Sequence, residues 1–178
     1  GSLEANLEDI GYSGTGTFIQ TGGANAVVLD LWLGFKSTGN GTYNLSGPGI
    51  VDVWGRTIVG ISGTGTFNQS DGGLSADSLV LGQNVGGYGE YNLSGGGSIY
   101  SNQSVVGESG TGTFNQSGGT NYVGSWQMLG QNVGSSGTYN LTGGVLGSGA
   151  AVGDAGTGVF TNSGGTHNVS GNLVLGAQ

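Results

Sequence analysis

The chain contains no cysteine, one proline (Pro48), one histidine (His167) and two basic side chains, Lys36 and Arg56. Small secreted domains often depend on disulfides. A chain without cysteine must instead be held by a backbone ladder or by an apolar core. Ten acids against two bases give a net charge of −8, with only 7% of residues charged. That balance excludes a nucleic-acid binder, which needs a basic footprint. It also argues against docking on anionic lipid. No apolar run approaches the length of a membrane span. Gly1 stands where an initiator Met would be, which fits removal of a leader or a cloning remnant.

What is abundant is glycine, 44 of 178 residues, alongside a 34% apolar fraction. Glycine this dense usually signals a linker or disorder. Here it recurs at fixed positions, so it marks turns that need positive φ or close backbone approach. There is no three-residue glycine period, so collagen is excluded. Eight aliphatic–glycine pairs pace the chain: Ile10-Gly11, Leu33-Gly34, Val59-Gly60, Leu81-Gly82, Val106-Gly107, Leu129-Gly130, Val152-Gly153 and Leu175-Gly176. They are spaced 23, 26, 22, 25, 23, 23 and 23 residues apart. After each of the first seven comes a glycine-rich turn and then an aromatic: Phe18, Tyr43, Phe67, Tyr91, Phe114, Tyr139 and Phe160. Phe and Tyr alternate throughout. A period of this length means stacked units that bury a core only together.

The reading is all-β: a parallel β-solenoid (β-helix) of about seven to eight coils, roughly 23 residues per coil, with odd and even coils alternating. Residues 1–178 form a single continuous repeat domain, open at both ends. A propeller is the competitor, but two units would have to make each blade and the chain would supply fewer than four. In the unit from Val106, residues 106–112 read as a turn, Thr113–Ser117 as a strand, Gly118-Gly119 as a turn and Asn121–Leu129 as a second extended stretch. Stacking at ~4.8 Å per coil gives seven coils a length of roughly 34 Å. The aromatic column belongs inside, with Thr66-Asn68-Ser70 and its equivalents outside. The opposite orientation remains open, because Gln20, Gln69 and Gln116 share the aromatic face and a buried Gln needs partners. Their row neighbours are Leu45, Leu93 and Leu141, so no amide ladder forms there.

The residues before the aliphatic marks are Trp32, Ile58, Val80, Val105, Met128, Ala151 and Val174, with Asp9 the exception. Successive strand residues face opposite sides. Either a corner bulge turns both rows inward, or Trp32, Ile58, Val80, Val105, Met128 and Val174 form an exposed stripe for lateral contact.

No catalytic, cofactor-binding or metal-binding residue is expected, and no cofactor. Glu108 and Asp154 share a repeat position but lie two coils apart, roughly 10 Å. Glu4, Glu8 and Asp9 cluster at the N-terminal edge. His167 has neither a cysteine nor a repeat-equivalent acid beside it, and no nucleophile–base pair can be assembled. Gly-Thr-Gly-Thr is followed by no Lys and opens no helix, so it is not a phosphate loop. Calcium-binding solenoids need regularly spaced Asp, which is absent. Thr-x-Thr, the kind of array that can bind ice, occurs in alternate coils only and fails at Val159. Eight Asn-x-Ser/Thr sequons occur, but a glycan on every coil would not fit a ~4.8 Å spacing. An outward Asn ladder is the simpler expectation. Asp30 and Arg56 each lie three residues before a mark in adjacent coils, so an ion pair is expected between them.

The segments SGTGTFNQSGG (Ser109–Gly119), GTYNLS (Gly41–Ser46) and LVLGQN (Leu79–Asn84) resemble the Gly-rich β-solenoid repeats of exported bacterial proteins, namely autotransporter-like passengers and PEP-CTERM-type repeat proteins. The resemblance covers essentially the whole chain. It implies export and a parallel solenoid, and it carries over no activity or site residue. No sorting signal or membrane barrel accompanies it in this sequence.

The function expected is a structural subunit of an extracellular fibre or surface layer, not an enzyme. The alternatives are a fragment of an adhesin or passenger stalk, and a polysaccharide-processing β-helix. The second would need several acids with Lys or Arg in one groove, and the chain has two bases. The partner expected is the chain itself. Leu3–Ile10 match Leu74–Leu81 in apolar spacing, so the chain starts in mid-coil, and Leu175-Gly176-Ala177-Gln178 opens a new one. Unpaired edges at both ends would then stack head to tail and propagate.

Overall fold

The computed structural model describes residues 1–176 and, of Ala151, the backbone alone. Every regular element among the described residues is a strand. In chain order these are β1 (Ser2–Ala5), β2 (Glu8–Ile10), β3 (Thr15–Gln20), β4 (Ala24–Val27), β5 (Leu31–Leu33), β6 (Asn40–Leu45), β7 (Ile50–Val59), β8 (Thr64–Gln69), β9 (Gly73–Leu81), β10 (Tyr88–Leu93), β11 (Ser98–Val106), β12 (Thr111–Leu129), β13 (Ser136–Val152), β14 (Thr157–Asn162), β15 (Thr166–Asn168) and β16 (Leu173–Leu175). All pairings are parallel and join each coil to the next. The fold is a β-solenoid.

Each coil has three faces. The first carries the aromatic strand: β3, β6, β8, β10, the starts of β12 and β13, then β14. The second runs through β1, β4, β7, β9, β11 and the middles of β12 and β13 to β15. The third holds β2, β5, the ends of β7, β9, β11, β12 and β13, and β16. The extended stretch after the glycine turn is thus two strands around a corner. At that corner β12 inserts Gly124-Ser125 where β11 has Asn102 alone. The segment read as a turn before the aromatic strand is also shorter, since pairing already begins at Thr111.

The aliphatic–glycine marks are the ends of the third face. All eight mark glycines have positive φ, from +64° to +76°. A side chain there would be strained, so the turn out of the third face selects glycine. Gly89, on the first face, serves close approach instead. A Cβ on it would meet the Val59 carbonyl oxygen of the coil below.

The core is the aromatic column with the aliphatic rows of the other two faces. Tyr43, Phe67, Tyr91, Phe114 and Tyr139 are each 0% exposed. Their rings stack at 4.6–5.0 Å between centroids, within 3–5° of parallel. At the two ends of the column, Phe18 and Phe160 are half-buried and tilt by 27°. Thr64, Thr66 and Asn68 point outward while Gly65, Phe67 and Gln69 point in. The aromatic-inside orientation therefore holds.

The buried glutamines explain the alternation of Phe and Tyr. Each Tyr hydroxyl donates to the Gln carbonyl of the preceding Phe coil: Tyr43 to Gln20 at 2.6 Å, Tyr91 to Gln69 at 2.5 Å and Tyr139 to Gln116 at 2.5 Å. Each Gln amide then donates to a carbonyl in its own glycine turn and to one on the second face of the next coil. For Gln69 these are Gly72 O and Ser98 O, both at 3.0 Å. Phe with Gln and Tyr with Leu are complementary halves of a two-coil unit. Asn25 and Asn121 add donors to the hydroxyls of Tyr43 and Tyr139 at 2.9 and 3.1 Å. Leu74 takes the equivalent place in the intervening odd coil, so Gln69 alone serves Tyr91.

Candidate interaction surfaces

The outer side of the first face is flat and polar. Asn44, Asn68, Asn92, Asn115 and Asn140 form an amide ladder in which each Nδ2 from Asn68 onward donates to the Oδ1 of the coil below at 2.9 Å. Four of these five sequon nitrogens are therefore engaged along the rod. A glycan on any of them would break the ladder at that rung.

The expected lateral stripe is not an exposed surface. The mark residues Ile10 to Val152 line the main core. The preceding row lies on the other side of the third face, yet Ile58, Val80 and Val105 are only 1%, 4% and 5% exposed. Trp32, Met128 and Val174 are half-buried. No bulge turns the row into the main core. Instead, the residues just beyond the mark glycines Gly34 and Gly60 cover it. In coils two and three, Phe35 and Ile61 pack with Trp32, Ile58 and Val80 as a satellite cluster. Tyr12 stacks on Phe35 at 5.0 Å, and Lys36 lies over both rings. Gln83, Glu108 and Gln131 follow the next three mark glycines at the position of Phe35 and Ile61. Ile58, Val80 and Val105 are thus inaccessible to a partner.

Asp30 and Arg56 do form the expected pair. Arg56 Nη2 lies 3.3 Å from Asp30 Oδ2, and the Arg56 backbone N–H donates to Asp30 Oδ1 at 2.7 Å. The Trp32 indole donates to the same carboxylate at 3.3 Å. This fixes the register of the first corner. An exposed ion pair of this kind contributes only about 0–1 kcal/mol.

At the N-terminal edge, Glu8 lies under Leu31 and Asp9 under Trp32. Glu8 Oε2 accepts from Asn25 Nδ2 at 2.7 Å. Burial pushes the Glu8 carboxyl above its usual 4.5, with the Asn25 bond acting the other way. Burial raises Asp9 above 3.8. A raised carboxyl pKa means the folded state holds protons more tightly than the unfolded one. Stability is therefore lower above the raised values and is gained as pH falls through them. Glu8→Gln should raise the thermal midpoint at neutral pH and flatten the gain on acidification toward 4.5. Differential scanning calorimetry across that interval checks both effects. A lower midpoint at neutral pH would contradict the assignment.

His167 continues the inward row above Leu146. Its Nε2 lies 3.1 Å from Ser148 Oγ and 3.2 Å from Ser148 O, and its ring packs on Phe160 at 5.1 Å. Burial lowers its pKa from 6.5, with the Ser148 backbone bond opposing. Its partners are a hydroxyl, a carbonyl and a phenyl ring, which makes it a packing residue of the last coil. Among the described residues, no three His, Asp or Glu side chains converge as a metal site would require. Among the described residues, no helix is long and apolar enough to cross a membrane.

The exposed aromatic groups lie elsewhere. Trp54, Tyr100, Tyr122 and Trp126 are 46–66% exposed, on the second face and its corner with the third. Tyr100 and Tyr122 stack on each other outside the rod at 5.6 Å and 10°. The sequence reading missed this patch because it followed the inward column. The signal was available: Tyr100 and Tyr122 each lie three residues after a glycine pair, Gly96-Gly97 and Gly118-Gly119.

The two edges of the described coils carry no covering element. β1, β2 and β3 are paired on one side only, as are β14, β15 and β16. Leu175 is 71% exposed. The expected new coil at Ala177-Gln178 lies outside the described residues. No family model, no curated protein and no solved structure matches this chain.

Proposed function

We propose that this chain is a structural rod, a β-solenoid element of an extracellular fibre or surface layer that stacks head to tail through its coil edges. The observation that carries the reading is the continuous ladder: parallel pairing joins each coil to the next on all three faces, and among the described residues β1–β3 and β14–β16 are paired on one side only. Open strand edges are templates for further pairing, and an asymmetric contact that does not close on itself propagates. The sparse charge, the absence of cysteine and the Ser/Thr/Asn/Gly-rich exterior support an exported setting. The resemblance to repeats of exported bacterial proteins points the same way. In a passenger or adhesin stalk, further coils of the same chain would cover these edges.

Sedimentation velocity over a concentration series, with far-UV circular dichroism at each point, tests the stacking. Species that lengthen with concentration while the β signal holds are expected. A stable monomer at high concentration with intact β structure would overturn head-to-tail assembly and favour the stalk.

A further inference from the structure

The outer side of the second face carries a slot one coil wide. Its floor is Gly73 and Ser75 of β9; β7 forms one wall with Ile50 and Asp52, and β11 the other with Ser98 and Tyr100. The register places Ile50, Gly73 and Ser98 in one row and Asp52, Ser75 and Tyr100 in the next. The cleft between Pro48, Ile50 and Tyr100 has a volume of about 430 Å³.

Gly73 makes the slot. Its φ is not positive, and a Cβ there would meet only Ser98 Oγ, at an ordinary 3.6 Å. Neither backbone strain nor crowding demands glycine at this place. The row carries a side chain in every other coil: Ala24, Ile50, Ser98, Thr120, Val145 and Thr166. Tyr100 supplies a recognition surface. One face of its ring is taken by Tyr122 in the near-parallel stack. The other face looks across Ser75 toward Asp52, two strands away and about 9.6 Å along the axis. A flat group inserted over Ser75 would continue the Tyr122–Tyr100 stack and present its far side to the Asp52 carboxylate.

The charge of the site selects among flat groups. Asp52 stands in one row with Ser75 and Tyr100, and the chain carries −8 overall. The one base nearby, Arg56, is held by Asp30. An aromatic face opposed by a carboxylate suits a cation that is planar and weakly hydrated, which is the guanidinium rather than the ammonium group.

We infer that this slot receives an arginine side chain of a basic partner protein, stacked on Tyr100 and paired with Asp52. This inference does not depend on the rod's mode of assembly.

The test is titration of the isotope-labelled protein with the capped peptide acetyl-Gly-Arg-Gly-amide, followed by amide chemical shifts. Saturable shifts centred on Gly73, Ser75 and Tyr100 are expected. Gly73→Ile should fill the slot and abolish them; it removes no contact and suits a strand. Tyr100→Ala and Asp52→Asn should each weaken binding about threefold, the latter loss shrinking at high salt. Three results would overturn the inference. One is no response to the peptide, or a response only to free arginine. Another is a response that Gly73→Ile leaves unchanged. The last is an equal response to acetyl-Gly-Tyr-Gly-amide or to maltose, which would mean that stacking or hydroxyl binding, not charge, governs the slot.

Discussion

Phe114→Ala should lower stability by about 3–5 kcal/mol, the cost of removing a fully buried phenyl from a site that cannot collapse. Phe114 is 0% exposed and lies between Tyr91 at 5.0 Å and Tyr139 at 4.6 Å. The backbone ladders on all three faces hold the neighbouring coils apart at a fixed spacing, so the cavity has little means of closing. The loss should be local in its first effects, with faster amide exchange in β10, β12 and β13. Phe18→Ala, at the half-buried end of the column, should cost less. Chemical denaturation of both variants, with hydrogen exchange, measures these effects. A loss below about 1 kcal/mol at Phe114 would contradict a rigid stacked core.

The second large effect concerns the Tyr–Gln contacts. Tyr91→Phe keeps the ring but strands the Gln69 carbonyl in the core, at a cost of about 1–3 kcal/mol. Gln69→Leu strands the Tyr91 hydroxyl instead. Burial pushes that hydroxyl's ionisation well above the usual 10.0, so it remains a donor throughout the ordinary pH range. The double variant leaves neither atom unpaired, and Leu is what the even coils carry at this position. It should be more stable than either single variant, with a coupling of about 1–3 kcal/mol in the double-mutant cycle. Tyr139→Phe should cost more than Tyr91→Phe, because it also strands the Asn121 amide that donates to Tyr139 at 3.1 Å. Additive losses at Tyr91 and Gln69 would contradict the pairing.

Much of this was legible in the sequence, because a repeat turns one-dimensional spacing into stacking. The marks located the glycine corners, and the aromatic positions located the core column. The Asn positions gave the outer ladder, and Asp30 with Arg56 gave the register of a corner. What escaped follows from how little each feature weighs locally. The third face is only three residues wide in β2, β5 and β16, too short to show a period of two. It merged with the second face into one apparent stretch. The row of Ile58 and Val80 allows both a bulged and an exposed reading because its cover, Phe35 and Ile61, lies beyond a glycine in what reads as a turn. The Gln partners were sought along their own row. The partner is a hydroxyl on the neighbouring row of the next coil, and only side-chain length brings it there. Even so, Phe-x-Gln and Tyr-x-Leu alternate together at three sites each, which is a visible trace of the pairing.

The most direct test of the rod is X-ray diffraction from aligned native material, with electron microscopy of the same sample. The account expects unbranched rods with a reflection near 4.8 Å along the long axis, because coils rise along the rod while strands run across it. Compact particles, or a 4.8 Å spacing perpendicular to the long axis, would contradict it.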